Sequence, residues 1–279
     1  MRETQLYTGS LFTITDFECP PDDEAWRSSN LIESRTPIAV FPRQPVGIRP
    51  AGRPRVLATP NLVMLYNPAQ EFERELRDAR GDCCIYVTIH EPALEALERA
   101  TDVVTDGRMA ATYVPCTPQA YLQQHLLGRT LTTGTFDSLA VEETTWSLLG
   151  GVLEKPPTGS GRRPRTRAGH YELTEAAKDR IVASISESLS LAELGAQLGV
   201  SPFHLARIFR AQTGFTLHQY RTQLRLRIAL EELGSGGASL SALAFDLGFA
   251  SHSHFTDTFR REFGVAPSAV RRASTIPTA

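Results

Sequence analysis

The chain has 279 residues, of which 41% are hydrophobic and 22% charged, and its formal net charge is −2 at pH 7. These fractions are ordinary for a globular protein, and at about 100–200 residues per domain the length predicts two domains. No run of about 18 apolar residues is present and residues 1–5 lack a signal-peptide pattern, so we expect a cytoplasmic protein without a membrane span.

The small net charge hides an asymmetry between two parts of the chain. Residues 161–279 contain 15 Lys and Arg against 10 Asp and Glu, a balance of +5, and residues 1–160 contain the other 14 against 21, a balance of −7. A basic C-terminal part on an acidic body favours a polyanionic partner for that part, with chance variation of surface charge as the alternative.

Residues 5–90 contain short apolar runs separated by Pro, Gly and Asn, which predicts an antiparallel sandwich or barrel. The predicted strands are 11–17, 38–41, 46–49, 55–58, 62–66, 72–76 and 83–89. Beyond residue 92 the pattern becomes helical, and the better helix candidates are 118–127 and 136–153. The apolar side of the second candidate either packs on its own sheet domain or meets a second subunit.

Cysteine and histidine spacing argues against a metal site. The four cysteines, Cys19, Cys83, Cys84 and Cys116, have no C-x-x-C pair. Cys83 and Cys84 lie in an apolar run and are interpreted as small buried residues, with a redox sensor as the alternative. Residues 1–169 contain His90 and His125 alone, whereas metal enzymes use several histidines with a carboxylate. No P-loop or G-x-S-x-G motif is present. We therefore expect no catalytic residue, metal or cofactor.

Residues 155–169, KPPTGSGRRPRTRAG, are rich in Pro, Gly and Arg and have no apolar pattern. Such a segment cannot form a core and is typical of a linker. The sequence therefore predicts an N-terminal domain at 1–154, a linker at 155–169 and a C-terminal domain at 170–279.

The C-terminal domain contains an internal repeat. LAELGAQLGV at 191–200 matches LSALAFDLGF at 240–249 with an offset of 49. After one inserted residue the match resumes, so that Ser201, His204, Phe209, Arg210 and Gly214 correspond to Ser251, His254, Phe259, Arg260 and Gly264. Each copy has the pattern of a helix-turn-helix: periodic leucines, a glycine at the turn and a serine to cap the second helix. One long helix, 216–233, is predicted between the copies.

A helical wheel of each second helix separates an apolar face from a polar one. The outward positions are Phe203, Ala206, Arg207 and Arg210 in the first copy, and Ser253, Thr256, Asp257 and Arg260, with His252 at the edge, in the second. An amphipathic helix with an exposed arginine, held by a short turn, has the geometry that enters a DNA major groove. A helix hairpin with a solvated polar face is the alternative, and the presence of two copies favours DNA binding.

Residues 244–268, AFDLGFASHSHFTDTFRREFGVAPS, followed by Arg271, resemble the signature of the AraC/XylS family of transcription regulators. The resemblance covers about residues 171–272 and implies a seven-helix DNA-binding domain. It places DNA-facing positions at Phe203, Ala206, Arg207, His252, Ser253, Thr256 and Asp257. Two residues depart from the family pattern. Asp257 stands where a basic or amide residue is common, which puts base readout by the second unit in doubt, and Val270 replaces an aromatic residue.

The N-terminal half is more loosely similar, in residues 39–83, to the cupin-like sensor domain of the same family. The implied fold class is α+β with two domains: an N-terminal cupin-like β-barrel with flanking helices, and a C-terminal all-α domain with two helix-turn-helix motifs joined by a long helix. The implied partners are double-stranded promoter or operator DNA, a small-molecule effector and a second copy of the chain, with RNA polymerase as a further candidate.

Two other functions stay open at this stage. One is a ligand-independent DNA-binding regulator whose N-terminal half only dimerises, and the other is a cupin-type metal enzyme. Within the regulator hypothesis, Arg207 is predicted to make the main base contact, bidentate to guanine. Arg210, Arg260 and some of Arg221, Arg225 and Arg227 are predicted to hold phosphates. The sequence leaves the effector, the operator and the choice between activation and repression undecided.

Overall fold

The computed structural model describes residues 1–134, 136–153, 164–234 and 239–274. The chain divides into two compact units between residues 157 and 158. Within the described ranges, no helix is both long enough and apolar enough to cross a membrane. The first unit is rich in sheet and the second is helical, so a mixed two-domain chain with a helical C-terminal part is confirmed.

The first unit contains twelve strands and three α-helices within its described residues. The strands are β1 Arg2–Thr8, β2 Phe12–Cys19, β3 Asn30–Leu31, β4 Ile38–Pro42, β5 Val46–Pro50, β6 Val56–Ala58, β7 Leu62–Tyr66, β8 Glu71–Leu76, β9 Asp82–Ile89, β10 Val104–Thr105, β11 Arg108–Met109 and β12 Tyr113–Pro115. The helices are α1 Glu91–Ala100, α2 Pro118–Thr132 and α3 Ser138–Leu153, with a 3-10 turn at Glu24–Trp26.

These strands form open sheets. One has six strands in the order β1-β2-β9-β4-β7-β12, a second has four in the order β3-β8-β5-β6, and β10 pairs with β11. The longest ladder joins β2 to β9 without a break, from Phe12↔Ile89 to Cys19↔Asp82. The cupin-like barrel is not confirmed, because no sheet in the described part of the chain closes on itself: β1 and β12 are edges of the same sheet and do not pair.

The core of the first unit lies on both faces of the six-stranded sheet at β7. All five residues of β7 are buried, which requires cover on each face. The contacts of β6 with β7 and of α3 with the neighbouring strand β12 provide part of that cover, whereas α2 contacts β1 at the opposite edge of the sheet. In α3 the predicted apolar side is divided: Leu148, Leu149, Val152 and Leu153 are buried, whereas Phe136, just before the helix, and Leu139 are exposed.

The cysteine interpretation holds for Cys84 and needs correction for Cys83. Cys84 is buried in a cluster with Phe17 and Cys19, and burial raises the pKa of its thiol well above the usual value. Such a thiol stays protonated and unreactive. Cys83 is only half-buried, because it lies on the opposite face of β9, where Nη1 of Arg43 lies 3.6 Å from its sulfur.

The second unit contains seven helices in its described residues. They are α4 Pro164–Ala183, α5 Leu191–Gln197, α6 Pro202–Thr213, α7 Leu217–Gly234, α8 Leu240–Asp246, α9 His252–Phe263 and α10 Pro267–Ser274. Helix α4 begins inside the segment 155–169 that was predicted to be linker, at a proline, which is well tolerated in the first helical turn. The rest of that segment up to residue 163 lies outside the described residues, so the predicted domain boundaries stay predictions.

Helix α7 is more enclosed than its sequence predicts. The predicted stripe includes Tyr220, Leu224 and Leu233, which are buried, but Leu226, Arg227, Ala229 and Leu230 are buried as well. Arg227 lies on the same side as Tyr220 and Leu224, seven and three residues after them, whereas Ala229 lies on the opposite side of the helix. Contacts with α6 and with α10 explain why burial extends around α7.

Candidate nucleic-acid interface

The turns of the two repeat copies have the same backbone geometry. Gly199 has φ of 67° and Gly248 has φ of 73°, values in the left-handed region that favours glycine. In the first copy the turn is closed by a hydrogen bond from the backbone N–H of Val200 to the carbonyl of Gly195, at 3.0 Å. In the second the corresponding bond joins Phe249 to Ala244, at 2.9 Å. Each repeat copy is therefore a closed helix-turn-helix.

Gly195, in the first helix of the first copy, allows a close approach of the turn. A Cβ on Gly195 would lie 2.8 Å from the carbonyl oxygen of Val200, a distance that real Cβ contacts do not show. The second helix of each copy begins at a serine cap: the side chain of Ser201 accepts from the N–H of His204 at 3.2 Å, and that of Ser251 from His254 at 3.1 Å. Both predicted caps are confirmed, and they fix where the recognition helices α6 and α9 start.

Helix α6 has the two faces that the wheel predicts. Leu205, Ile208 and Phe209 are buried in the core of the unit. On the other side Arg207 and Arg210 are exposed, Phe203 is 78% exposed, and Ala206 is half-buried. This exposed aromatic side chain lies on the same face of α6 as the two arginines, four and seven residues before them.

Helix α9 repeats this arrangement with different chemistry. Phe255, Thr258 and Phe259 face inward, and the aromatic rings of Phe249, Phe255, Phe259 and Phe263 pack edge to face in sequence. His252, Ser253, Asp257 and Arg260 are exposed, and Thr256 is half-buried with its Oγ1 lacking a hydrogen-bond partner. All the candidate DNA contacts therefore lie on two outward helix faces, and their contact with DNA stays a prediction.

Some of Arg221, Arg225 and Arg227 were predicted to hold phosphates, and two of them, Arg225 and Arg227, are instead engaged or buried inside the unit. Arg227 is 0% exposed, so a phosphate cannot reach it. The guanidinium of Arg225 donates to three backbone carbonyls inside the unit, those of Ile185, Gly248 and Glu187. Nη2 of the half-buried Arg221 donates to the carbonyl of Ser184 at 3.3 Å. Their positions on a basic helix suggested phosphate contacts, but packing around α7 turns these side chains inward.

Sequence reasoning passed over one exposed arginine on the second recognition helix. Arg261 lies next to Arg260 on α9, is exposed, and donates from Nη2 to Oγ1 of Thr258 at 3.2 Å. Both arginines lie in the last turn of α9, where cations interact favourably with the helix dipole. The wheel could have found Arg261 at the edge of the outward face, where a long side chain can still reach a phosphate.

In the part of the chain that the structure describes, the potential metal ligands do not come together. Within the described ranges no group of three or more His, Cys, Asp or Glu side chains is arranged to hold a metal ion. His90 instead pairs with Thr13 through Nε2, at 3.0 Å, and its Nδ1 lies 3.2 Å from the carbonyl oxygen of Ser10. His125 is buried within α2.

The match to a known protein family falls on the second unit. The helix-turn-helix domain family matches residues 194–273. The regulatory protein SoxS of Salmonella typhimurium is 33% identical over 102 residues, which are 37% of this chain and 95% of that protein. The HTH-type transcriptional regulator GlxA of Rhizobium meliloti is 32% identical over 131 residues, which are 46% of this chain and 40% of that protein. The match thus spans less than half of the GlxA relative.

Among solved structures, the chain is similar to a transcriptional regulator with an AraC-type DNA-binding domain from Chromobacterium violaceum. The two are 30% identical over 40% of this chain and 99% of that one, with a TM-score of 0.37. The family match, residues 194–273, spans α6, α7, α8 and α9, and the SoxS match covers 95% of that protein. The chain belongs to the AraC family of DNA-binding transcriptional regulators.

Proposed function

We propose that the chain binds specific double-stranded promoter or operator sequences by placing α6 and α9 in neighbouring major-groove segments of one duplex. The observation that carries this proposal is the pair of outward helix faces within one compact unit, each held by the same turn. Two recognition helices in one body suit groove segments one helical turn, or about 34 Å, apart.

In this proposal α6 contributes most of the base reading. Arg207 forms two parallel hydrogen bonds to guanine O6 and N7, the pairing that its planar guanidinium fits best. Phe203 and Ala206 offer apolar contacts to base edges on the same face. Arg210, one turn further along the helix, reaches a backbone phosphate.

Helix α9 contributes a weaker and different reading. His252 and Ser253 present hydrogen-bonding groups to base edges, Thr256 offers its methyl group because its Oγ1 is buried, and Arg260 holds a phosphate. Asp257 accepts a hydrogen bond from cytosine N4, since a carboxylate near phosphates is repelled unless it finds a donor. The second helix-turn-helix therefore contributes to the position and register of the protein on DNA more than to its affinity.

We propose that the sheet-rich N-terminal unit is a cupin-like sensor domain that binds a small-molecule effector and joins two copies of the chain. Support comes from its separate core and from the apolar side chains exposed at and just before α3, Phe136 and Leu139, with Leu139 64% exposed. RNA polymerase is a further proposed partner, and we propose a cytoplasmic site of action. The second candidate is a regulator whose N-terminal unit only dimerises. Measuring sedimentation and DNA affinity at rising metabolite concentrations separates the two, because only a sensor changes its DNA affinity with the metabolite.

The first test is selection of fragmented genomic DNA by the purified full chain, with and without a metabolite extract. We expect a sharp motif from the wild type and a motif degenerate at one position from Arg207→Ala. Arg180→Ala is the matched control, since it removes an exposed arginine from α4, outside both recognition helices. An Arg207→Ala protein with wild-type affinity and motif would remove Arg207 from the interface.

Failure of the wild type to enrich any DNA in both conditions would count against the whole proposal. A motif that sharpens or changes with the extract supports an effector-dependent regulator. A motif that is identical in both conditions supports the ligand-independent alternative, and the bound promoters then indicate which genes it controls.

A further inference from the structure

The guanidinium of Arg225 joins parts of both helix-turn-helix units. Its Nε donates to the carbonyl of Ile185 at 2.6 Å and its Nη2 to that of Glu187 at 3.2 Å, both in the connection that leads into α5. Its Nη1 donates to the carbonyl of Gly248 at 2.9 Å, in the turn between α8 and α9. One side chain of α7 therefore joins the connection before the first helix-turn-helix to the turn of the second helix-turn-helix.

The surroundings of Arg225 make this connection stiff. The guanidinium carbon lies 5.9 Å from the centre of the Phe249 ring, which follows Gly248 in the turn. Burial lowers the pKa of Arg225 to about 10, with the charge of Arg221 adding to the effect, so the side chain remains protonated at neutral pH. A planar guanidinium has five N–H donors in a fixed geometry, so three bonded carbonyls fix its orientation as well as its position.

The backbone of Gly248 lies close to Arg225 and to the connection before α5. A Cβ on Gly248 would collide with the carbonyl oxygen of Ser186 and lie 2.5 Å from Nη2 of Arg225. The corresponding turn residue of the first helix-turn-helix, Gly199, has nothing within 4 Å of the position that a Cβ would take. The close approach thus exists at only one of the two equivalent turns, the one that Arg225 holds.

The segment held by Arg225 leads into α5, one of the helices that pack on the first recognition helix. Ser190, at the end of this connection, forms a reciprocal cap with Glu193 at the start of α5: the N–H of Ser190 donates to Oε2 at 2.9 Å, and Oγ accepts from the N–H of Glu193 at 3.1 Å. Helix α5 in turn packs on α6. A shift of the connection relative to Gly248 would therefore move α6 relative to α9.

We propose that Arg225 is a positioning residue that sets the placement of α6 relative to α9, and with it the number of base pairs between the two DNA segments that they read. This inference rests on the proposed function, because a spacing exists only if both helices contact DNA. Its consequence is that loss of the three hydrogen bonds relaxes the spacing and leaves the reading of each segment intact.

The experiment selects from duplexes containing about 30 random base pairs, enough for two groove segments one helical turn apart. The full chain is used as wild type, Arg225→Met, Arg225→Lys and Arg221→Met. Arg221→Met is the matched control, because it removes an arginine of the same helix whose Nη2 donates to Ser184, in the same connection. The measured quantity is the preference for one spacing over spacings that are one base pair longer or shorter.

We expect the wild type and Arg221→Met to select a two-part motif with one spacing. Arg225→Met should select the same two parts with the spacing preference reduced about fivefold, the equivalent of one net hydrogen bond, and Arg225→Lys should lie between. A merely structural role would weaken binding at every spacing alike, so retention of the wild-type spacing preference by Arg225→Met overturns the inference. If Arg225→Met does not fold, as judged by circular dichroism, Arg225→Lys decides by the same criterion.

The remaining outcomes also separate the two proposals. A wild-type motif confined to a single groove segment overturns this inference but leaves sequence-specific binding intact. Absence of any wild-type motif overturns the proposed function itself.

Discussion

The two helix-turn-helix units have nearly the same backbone but different surfaces. Both have a turn glycine at positive φ, a serine cap, and a C-terminal glycine in the left-handed region, Gly214 at 79° and Gly264 at 76°. Yet α6 contains no acidic residue, whereas α9 carries Asp257 and Glu262. A short set of local signals is enough to preserve the backbone, which leaves the outward side chains free to diverge.

Their surroundings differ as well. The turn of the second helix-turn-helix contacts the connection before α5 and is bound by Arg225. The turn of the first helix-turn-helix has no atoms near the Cβ position of its glycine. In the proposed function, the first helix-turn-helix reads bases and the second sets the register. The following predictions test this difference, from the largest expected effect to the smallest.

The largest difference is expected between alanine substitutions at the two turn glycines. Gly199→Ala should cost about 1–2 kcal/mol of unfolding free energy, because an L-residue disfavours the left-handed region. Gly248→Ala adds overpacking against Ser186 and Arg225, for a total of about 3–4 kcal/mol. Chemical denaturation of both variants measures the difference, and equal losses would contradict the asymmetry between the turns.

The second prediction concerns DNA affinity. Arg207→Ala should weaken binding to the selected site by about 1–3 kcal/mol and relax one position of the motif, because a bidentate guanine contact is lost. Arg260→Ala, on the second helix, should weaken binding uniformly across sequences and reduce the slope of log affinity against log salt by about 1. Fluorescence anisotropy at several salt concentrations measures both. Reversal of the two patterns would assign base reading to α9.

Removal of either serine cap should have similar, intermediate effects. Ser201→Ala and Ser251→Ala each lose one hydrogen bond to the first turn of a recognition helix and should each cost about 1 kcal/mol of stability. Thermal unfolding followed by circular dichroism is the measurement. A Ser201→Ala effect much smaller than that of Ser251→Ala would indicate that Pro202 at the first helical position already organises α6.

The smallest effect is expected from the carboxylate of α9. Asp257→Asn removes an exposed negative charge near the phosphates and should strengthen binding to unrelated DNA by less than about 1 kcal/mol. Preference for cytosine at one position should fall, because the amide can also donate to other bases. Competition between selected and random duplexes measures both changes. Weaker binding to unrelated DNA would count against a position close to the backbone.

The repeat could be found without a structure because its signals are short and chemically specific. Leucines three and four residues apart, a glycine at the turn and a serine before the second helix each have a local physical cause, and Gly199 and Gly248 have the expected positive φ. The burial of Leu205 and Phe255 and the exposure of Arg207 and Asp257 follow from helix periodicity alone. The role of those exposed side chains at DNA is a prediction that these signals raise and leave to experiment.

In the sheet-rich N-terminal unit, local sequence signals do not predict every strand or the way the strands pair. Strand β1, Arg2–Thr8, is mostly polar and exposed, so no apolar alternation indicated a strand over its whole length; it exists because its backbone pairs with β2 at the edge of the sheet. Closure of a barrel likewise depends on which strands meet at the two edges. Pairing between strands distant in sequence is a property of the assembled sheet, and short apolar runs do not contain it.

By itself, the sequence determined two helix-turn-helix units, their turns and caps, and the faces of α6 and α9, because each depends on residues within about one or two helical turns of one another. Only the tertiary structure decided what the arginines of α7 do. Arg225 and Arg227 have the same chemistry as Arg207, but the helices packed around α7 bury Arg227 and give Arg225 three carbonyls to bind. Whether a charged side chain faces solvent or holds a fold together depends on neighbours from elsewhere in the chain, and those neighbours exist only once it has folded.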